Sequence, residues 1–142
     1  MLSIIIPTLN EEKYLPFLLE SIKKHPEAER SSRRGSPVQS SAFVSGQIFN
    51  DFEIIIADAG SKDKTIEIAK KFGCQIVKGG LPAKGRNEGA QIAKGDLYLF
   101  LDGDTILPEI FFEKALYEFK KRNLDVASFC LEPKTESKFK KL

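Results

Sequence analysis

The stretch FEIIIADAGSKDKT, residues 52–65, decides the fold. Three consecutive isoleucines inside FEIIIAD cannot alternate between a core and solvent, so this strand is buried on both faces. It ends on a carboxylate, Asp58. The segment AGSKDKT that follows is turn chemistry, with Asp63 placed to cap or shape the turn. TIEIAKKF, residues 65–72, then reads as a helix stopped by Gly73 in the left-handed position. A doubly buried strand feeding directly into a helix is one unit of a parallel α/β sheet.

The same unit recurs on either side. LSIII, residues 2–6, is a short β-branched strand halted by Pro7, followed by the turn PTLNEE. Pro16 suits the first turn of the next helix, whose apolar stripe is Leu15, Leu18, Leu19 and Ile22. It fades at KKHP, since Pro26 cannot continue a helix. CQIVK (74–78) is a third strand, GGLPAKG (79–85) a glycine-rich loop, and RNEGAQIAK (86–94) a helix stopped by Gly95. DLYLFL (96–101) is a fourth buried strand that runs into Asp102-Gly103-Asp104. Pro108 opens the helix EIFFEKALYEFKKR, with Ile110, Phe111, Ala115, Leu116 and Phe119 toward a core. DVASFCLE (125–132) reads as a fifth strand, and residues 133–142 as a polar tail. Residues 27–47, rich in serine and arginine and without period, read as a long mobile loop: an insertion, an ordering lid or a binding segment.

The 142 residues therefore form one domain, 1–142, large enough to bury about two-thirds of its unfolded surface. A net charge of +2, with basic residues scattered, argues against nucleic acid as a partner. Cys74 and Cys130 show no metal spacing and read as buried reduced thiols, as in a cytoplasmic protein. LSIII is too short for a signal-peptide core, and nothing approaches the about 20 apolar residues that span a bilayer. Membrane association is left only to a partner or to a segment outside this chain.

Alternating strands and helices with right-handed crossovers give a doubly wound sheet, which binds ligands beyond the carboxyl ends of its strands. PTLNE, Asp58, GGLPAKGR and DGD each follow such an end, so four segments converge on one edge. Asp102 and Asp104, two carboxylates around a glycine with nothing nearby in sequence to neutralise them, form a hard-oxygen pair suited to Mg²⁺ or Mn²⁺. Gly103 leaves room for a diphosphate at the backbone, and Lys84 and Arg86 add positive charge for its oxygens. Asp58 can accept the N–H of a base, while Glu11 or the Thr8 hydroxyl reaches a ribose. Each residue alone has a blander reading. Surface turns are full of aspartates, Asp58 could cap a helix, and lysines and arginines are usually solvated. His25 is more simply structural, and Phe111, Phe112 and Phe119 more simply core. The convergence of the four segments favours a nucleotide-diphosphate site with a divalent cation.

LSIIIPTLNEEKYLPFLLESI, FEIIIADAGSKDKT, GRNEGAQIAKGDLYLFLDGDT and LPEIFFEKAL, in that order and spacing, resemble the family 2 glycosyltransferases of GT-A fold. The resemblance implies an inverting, metal-dependent transferase using a nucleotide-diphosphate sugar, UDP- or GDP-linked, with Mg²⁺ or Mn²⁺ as cofactor. It places Pro7, Thr8, Leu9 and Glu11 in the first nucleotide-binding turn and Asp58 at the base. Ala59 stands where a second aspartate is common. Lys84 and Arg86 fall near the diphosphate, and Asp102 and Asp104 on the D-x-D pair, Asp104 as direct metal ligand and Asp102 nearer the ribose or metal. Family members run well past 200 residues, with acceptor site and base after the fifth strand. Glu132 and Glu136 have no matching context, so the catalytic base is unassigned. The acceptor (glycan, lipid phosphate or protein) is likewise open.

The chain thus reads as the donor-binding portion of a glycosyltransferase, truncated after about the fifth strand. The alternative is a non-catalytic nucleotide-sugar-binding remnant or subunit. A sugar nucleotidylyltransferase needs a glycine- and arginine-rich loop after the first strand, and a dinucleotide oxidoreductase a G-x-G-x-x-G; PTLNEE is neither.

Overall fold

A computed structural model describes residues 1–24 and 52–129. The expected loop 27–47 and tail 133–142, with His25, Cys130, Glu132 and Glu136, lie outside the described residues. Two compact units are present, Met1–Phe111 and Phe112–Leu142.

The first unit is built on β1 (Leu2–Thr8), α1 (Leu15–Lys24), β2 (Phe52–Asp58), α2 (Thr65–Lys71), β3 (Gln75–Lys78), α3 (Pro82–Ile92) and β4 (Leu97–Phe100). The four strands pair in the order β3-β2-β1-β4, every pairing parallel. In register, Ile4, Ile5 and Ile6 lie beside Ile54, Ile55 and Ile56, and Thr8 beside Asp58. All six isoleucines are buried. Because successive side chains point to opposite faces, these central strands need a cover on each.

On one face Leu15, Leu18, Leu19 and Ile22 of α1 are all buried, as their stripe predicts, and α1 touches α2. On the other, α3 lies against β1, β2 and β3. Two glycines one helical turn apart make that approach possible. A Cβ on Gly85 would come within 3.0 Å of the Pro7 Cβ, and one on Gly89 would overlap Ile5 Cγ2. The missing side chains are the contact surface, which offsets the poor helix propensity of glycine.

Several expectations are corrected. β1 does not stop at Pro7 but runs through it to Thr8. Ile5 faces β4 with its carbonyl, accepting from Leu101 N–H. Pro7, two residues on, turns its missing donor to that same side, where β4 has already ended. α3 begins at Pro82, so Lys84, expected in the glycine-rich loop, belongs to the same helix as Arg86. Its end is at Ile92, with Ala93 extended; Gly95 serves a different need. A Cβ there would meet the Met1 carbonyl and Ser3 Oγ, and the Gly95 N–H donates to Ser3 Oγ at 2.9 Å. Among the described residues β4 is an edge strand, paired only with β1. Its Tyr98 and Phe100 are exposed, their rings packed edge to face at 6.5 Å.

In the second unit α4 (Phe111–Lys121) buries Phe112 and Leu116, whereas Ile110 precedes the helix and is exposed. Asn123, in the left-handed conformation (φ 48°), ends it, its N–H donating to the Lys120 carbonyl. The expected fifth strand is not formed across residues 125–129, which are irregular; the rest of that segment lies outside the described residues.

Candidate functional site

Every described segment expected at the ligand edge follows the carboxyl end of a strand in the first unit. Two of them are hydrogen-bonded into a single platform. After β1 the chain turns through Asn10, Glu11 and Glu12, with Asn10 in the left-handed region (φ 57°), which asparagine tolerates better than most residues. The three successive N–H groups donate to three side chains of the turn after β2: Asn10 to Ser61 Oγ (2.9 Å), Glu11 to Thr65 Oγ1 (2.8 Å) and Glu12 to Asp63 Oδ2 (3.0 Å). In return Lys62 N–H donates to Asn10 Oδ1 and Lys64 N–H to Glu12 Oε2. Asp63, just before the N-cap Lys64 of α2, also accepts the N–H of Thr65 two residues on, which is the turn-shaping role its position suggests.

Asp58 organises this platform from below. Its Oδ2 accepts the N–H groups of Gly60 and Ser61, each at 2.8 Å, and its Oδ1 accepts the hydroxyls of Thr8 (3.1 Å) and Ser61 (2.5 Å). The residue is 8% exposed. Burial pushes its carboxyl upward, but the Ser61, Gly60 and Thr8 hydrogen bonds outweigh that and hold it below 3.8. Thr8 is buried, and its hydroxyl donates to Asp58. Leu9, by contrast, is exposed beside it.

The carboxylate pair follows Leu101 in a turn closed by Thr105 N–H donating to the Asp102 carbonyl. The charge on Asp102 is not left unmatched: Arg86 Nη2 lies 2.6 Å from its Oδ1, with both side chains partly exposed. The sequence hid this pairing because the two residues are 16 positions apart with a whole strand between them. Asp104 is exposed and has no hydrogen-bond or ion-pair partner among the described residues. The space over Gly103 is taken by the chain itself, since a Cβ there would lie 2.9 Å from Glu11 Cγ. Glu11 therefore leans on the D-G-D turn. Its carboxyl is raised above 4.5 by partial burial first, then by the negative charges of Asp104, Asp63 and Asp102. The glycine pair after β3 is used similarly. Gly79 passes against the Ala57 carbonyl, and Gly80 lies under the Lys84 stem, where an added Cβ would come 2.9 Å from Lys84 Cδ.

Among the described residues no three acidic, histidine or cysteine side chains converge on one cation. Asp102 and Asp104 remain as a pair, which suits an ion that keeps waters and completes its shell with phosphate oxygens. Burial pushes the Cys74 thiol up to about 11, which leaves it unreactive at neutral pH. Asn10, Ser61 and Thr65 are the residues that sequence reasoning missed. The available signal was an asparagine in a strand-end turn, a position that favours αL, with hydroxyl residues in the partner turn.

The family model for glycosyl transferase family 2 matches residues 3–141. The chain belongs to that family. An uncharacterized glycosyltransferase of Haemophilus influenzae is 32% identical over 114 residues, covering 77% of this chain and 31% of the relative. Among solved structures, Staphylococcus aureus TarS 1–349 in complex with UDP-GlcNAc superposes with a TM-score of 0.60 at 26% identity, over 86% of this chain and 32% of that one. Glucosyl-3-phosphoglycerate synthase from Mycobacterium tuberculosis, in complex with Mn²⁺, UDP and phosphoglyceric acid, shares the fold. Its TM-score is 0.57 at 21% identity, over 84% of this chain and 38% of that one. The chain spans about a third of each of these proteins. Among the described residues no helix is long and apolar enough to cross a membrane.

Proposed function

We propose that this chain is the donor-binding portion of a metal-dependent, inverting glycosyltransferase that takes a nucleoside-diphosphate sugar. The observation that carries the reading is Asp104, an exposed carboxylate, unpartnered among the described residues, beside Asp102 and Glu11 at the carboxyl edge of a parallel sheet. The donor set fits Mg²⁺ or Mn²⁺: hard oxygens, and clustered negative charge that adds to partial burial in raising the Glu11 carboxyl. UDP-GlcNAc in TarS, and Mn²⁺ with UDP in the synthase, support the same ligand classes here. UDP is accordingly the first nucleotide to try and GDP the second.

In this reading Asp104 holds the cation and Asp102 either shares it or binds the ribose. When bound, the cation neutralises charge on the departing nucleoside diphosphate. Arg86 and Lys84, held on the first two turns of α3, bring positive charge to the diphosphate oxygens. Pro7 seats α3 through its contact with Gly85, and exposed Leu9 offers an apolar surface to the base. Asp58 supports the base-binding turn through Ser61 and Thr8. No residue of the described chain is assigned as the base that activates an acceptor hydroxyl, and the acceptor is unassigned.

A second reading is a chain that binds donor without turning it over. Both readings require the same binding event. Calorimetric titration of UDP into the 142-residue chain should show affinity at least about tenfold tighter with Mn²⁺ than with EDTA. Equal affinity in the two buffers contradicts the metal-dependent site. Release of free sugar or transfer product from a UDP-sugar then separates enzyme from binder.

A further inference from the structure

We infer that Arg86 is an internal stand-in for the cation, which makes cation binding conditional on the nucleotide. The inference rests on the metal–nucleotide reading above and adds an order of events to it. In this structure the guanidinium, 2.6 Å from Asp102 Oδ1, occupies a lone pair that a cation shared by Asp102 and Asp104 would use. It also cancels one of the two charges that would attract that cation. A guanidinium does not lose its proton at any ordinary pH, so the site can be vacated only by moving the side chain. Lys84, the other basic residue on this helix turn, makes no ion pair among the described residues, its stem lying over Gly80. Among the described residues Arg86 is therefore the one counter-ion paired with Asp102.

The pair is poised to exchange. Both partners are partly exposed, 37% for Arg86 and 51% for Asp102, so solvent screens it and its intrinsic worth is low. A diphosphate offers the guanidinium a bidentate, more highly charged partner. Arg86 then turns from carboxylate to phosphate, and the freed Asp102 oxygen joins Asp104 in facing the cation. The free protein, with its acidic pair half neutralised, holds a bare divalent ion poorly; the nucleotide both removes the competitor and supplies further ligands. Nucleotide and cation thus bind with positive coupling, reciprocal in both directions.

The test is Mn²⁺ binding followed by the paramagnetic resonance of the free ion, on the 142-residue chain with and without UDP. Wild type should bind Mn²⁺ weakly alone and more tightly with UDP. In Arg86→Gln, Mn²⁺ alone should bind about tenfold tighter than in wild type, because a full positive charge leaves the site. The same variant should bind Mn²⁺ less tightly than wild type once UDP is present. Arg86→Lys, which keeps the charge, should bind Mn²⁺ alone as weakly as wild type. Equal thermal unfolding midpoints for the three proteins show that folding is not the cause. If Arg86→Gln binds bare Mn²⁺ no tighter than wild type while UDP still tightens Mn²⁺ in wild type, the stand-in role is overturned and the site survives. If UDP tightens Mn²⁺ in none of them, the underlying metal–nucleotide reading fails, and the stand-in role with it.

Discussion

Replacement of Asp104 by alanine should lower UDP affinity in Mn²⁺ by roughly a hundredfold, about 3 kcal/mol, and leave binding indifferent to EDTA. The thermal unfolding midpoint should not fall. Asp104 is exposed and makes no hydrogen bond or ion pair among the described residues, so its loss removes no structural contact. It also relieves repulsion on Glu11, whose carboxyl is raised in part by the Asp104 charge. A change that is severe for ligand and neutral for fold is the mark of a residue kept for function. Calorimetric titration with parallel thermal unfolding measures both halves. Undiminished UDP affinity in the variant would reject Asp104 as the cation ligand.

Asp58→Ala should do the reverse. It strips one buried carboxylate of four donated hydrogen bonds and leaves the N–H groups of Gly60 and Ser61 without acceptors. The expected cost is about 3 kcal/mol, or roughly 10 °C in the unfolding midpoint of a chain this size. The loss reaches the ligand edge as well, because Ser61 receives the Asn10 N–H and so links the turn after β2 to the turn after β1. Asp58→Asn retains the shape but turns an amide toward donors, and should lose nearly as much.

The acid response follows from the same contacts. The folded Asp58 carboxyl ionises below 3.8, so its stabilisation is complete above that unfolded value and is lost as pH falls through the lower folded one. Glu53 adds to the same trend. Burial raises its carboxyl, but the Lys94 N–H, Ser3 hydroxyl and Gln75 amide together bring it below 4.5. Urea midpoints followed from about pH 6 down to about pH 2 should therefore fall less steeply in Asp58→Asn than in wild type. Parallel acid profiles would place the stabilisation elsewhere.

Much of this architecture was legible in the sequence, and the reason is physical. Isoleucine triplets at 4–6 and 54–56 can be satisfied only by a parallel strand covered on both sides, and the stripe Leu15, Leu18, Leu19, Ile22 supplies one cover. The carboxyl-edge rule then placed Asp58, Lys84, Arg86, Asp102 and Asp104 together before any coordinates. What sequence could not give was pairing across distance. The Arg86–Asp102 bridge depends on α3 beginning at Pro82, and GGLPAKGR looks like a loop because its glycines suggest freedom. Gly85 and Gly89 are there instead for close approach to Pro7 and Ile5. Likewise Gly103 appeared to clear space for a ligand, whereas the space is held by Glu11. Tyr98 and Phe100 read as buried in an apolar run, since nothing local reveals that β4 pairs on one side alone among the described residues. A periodic pattern reports burial; it does not report which element does the burying.

The most direct test of the metal-bridged donor site is diffraction at the manganese absorption edge, from crystals of this chain grown with Mn²⁺ and UDP. The prediction is a single anomalous peak within coordination distance of the Asp104 carboxylate, joined to the UDP phosphates, with the Arg86 guanidinium withdrawn from Asp102. UDP density at the sheet edge with no anomalous peak between Asp104 and the phosphates would contradict it.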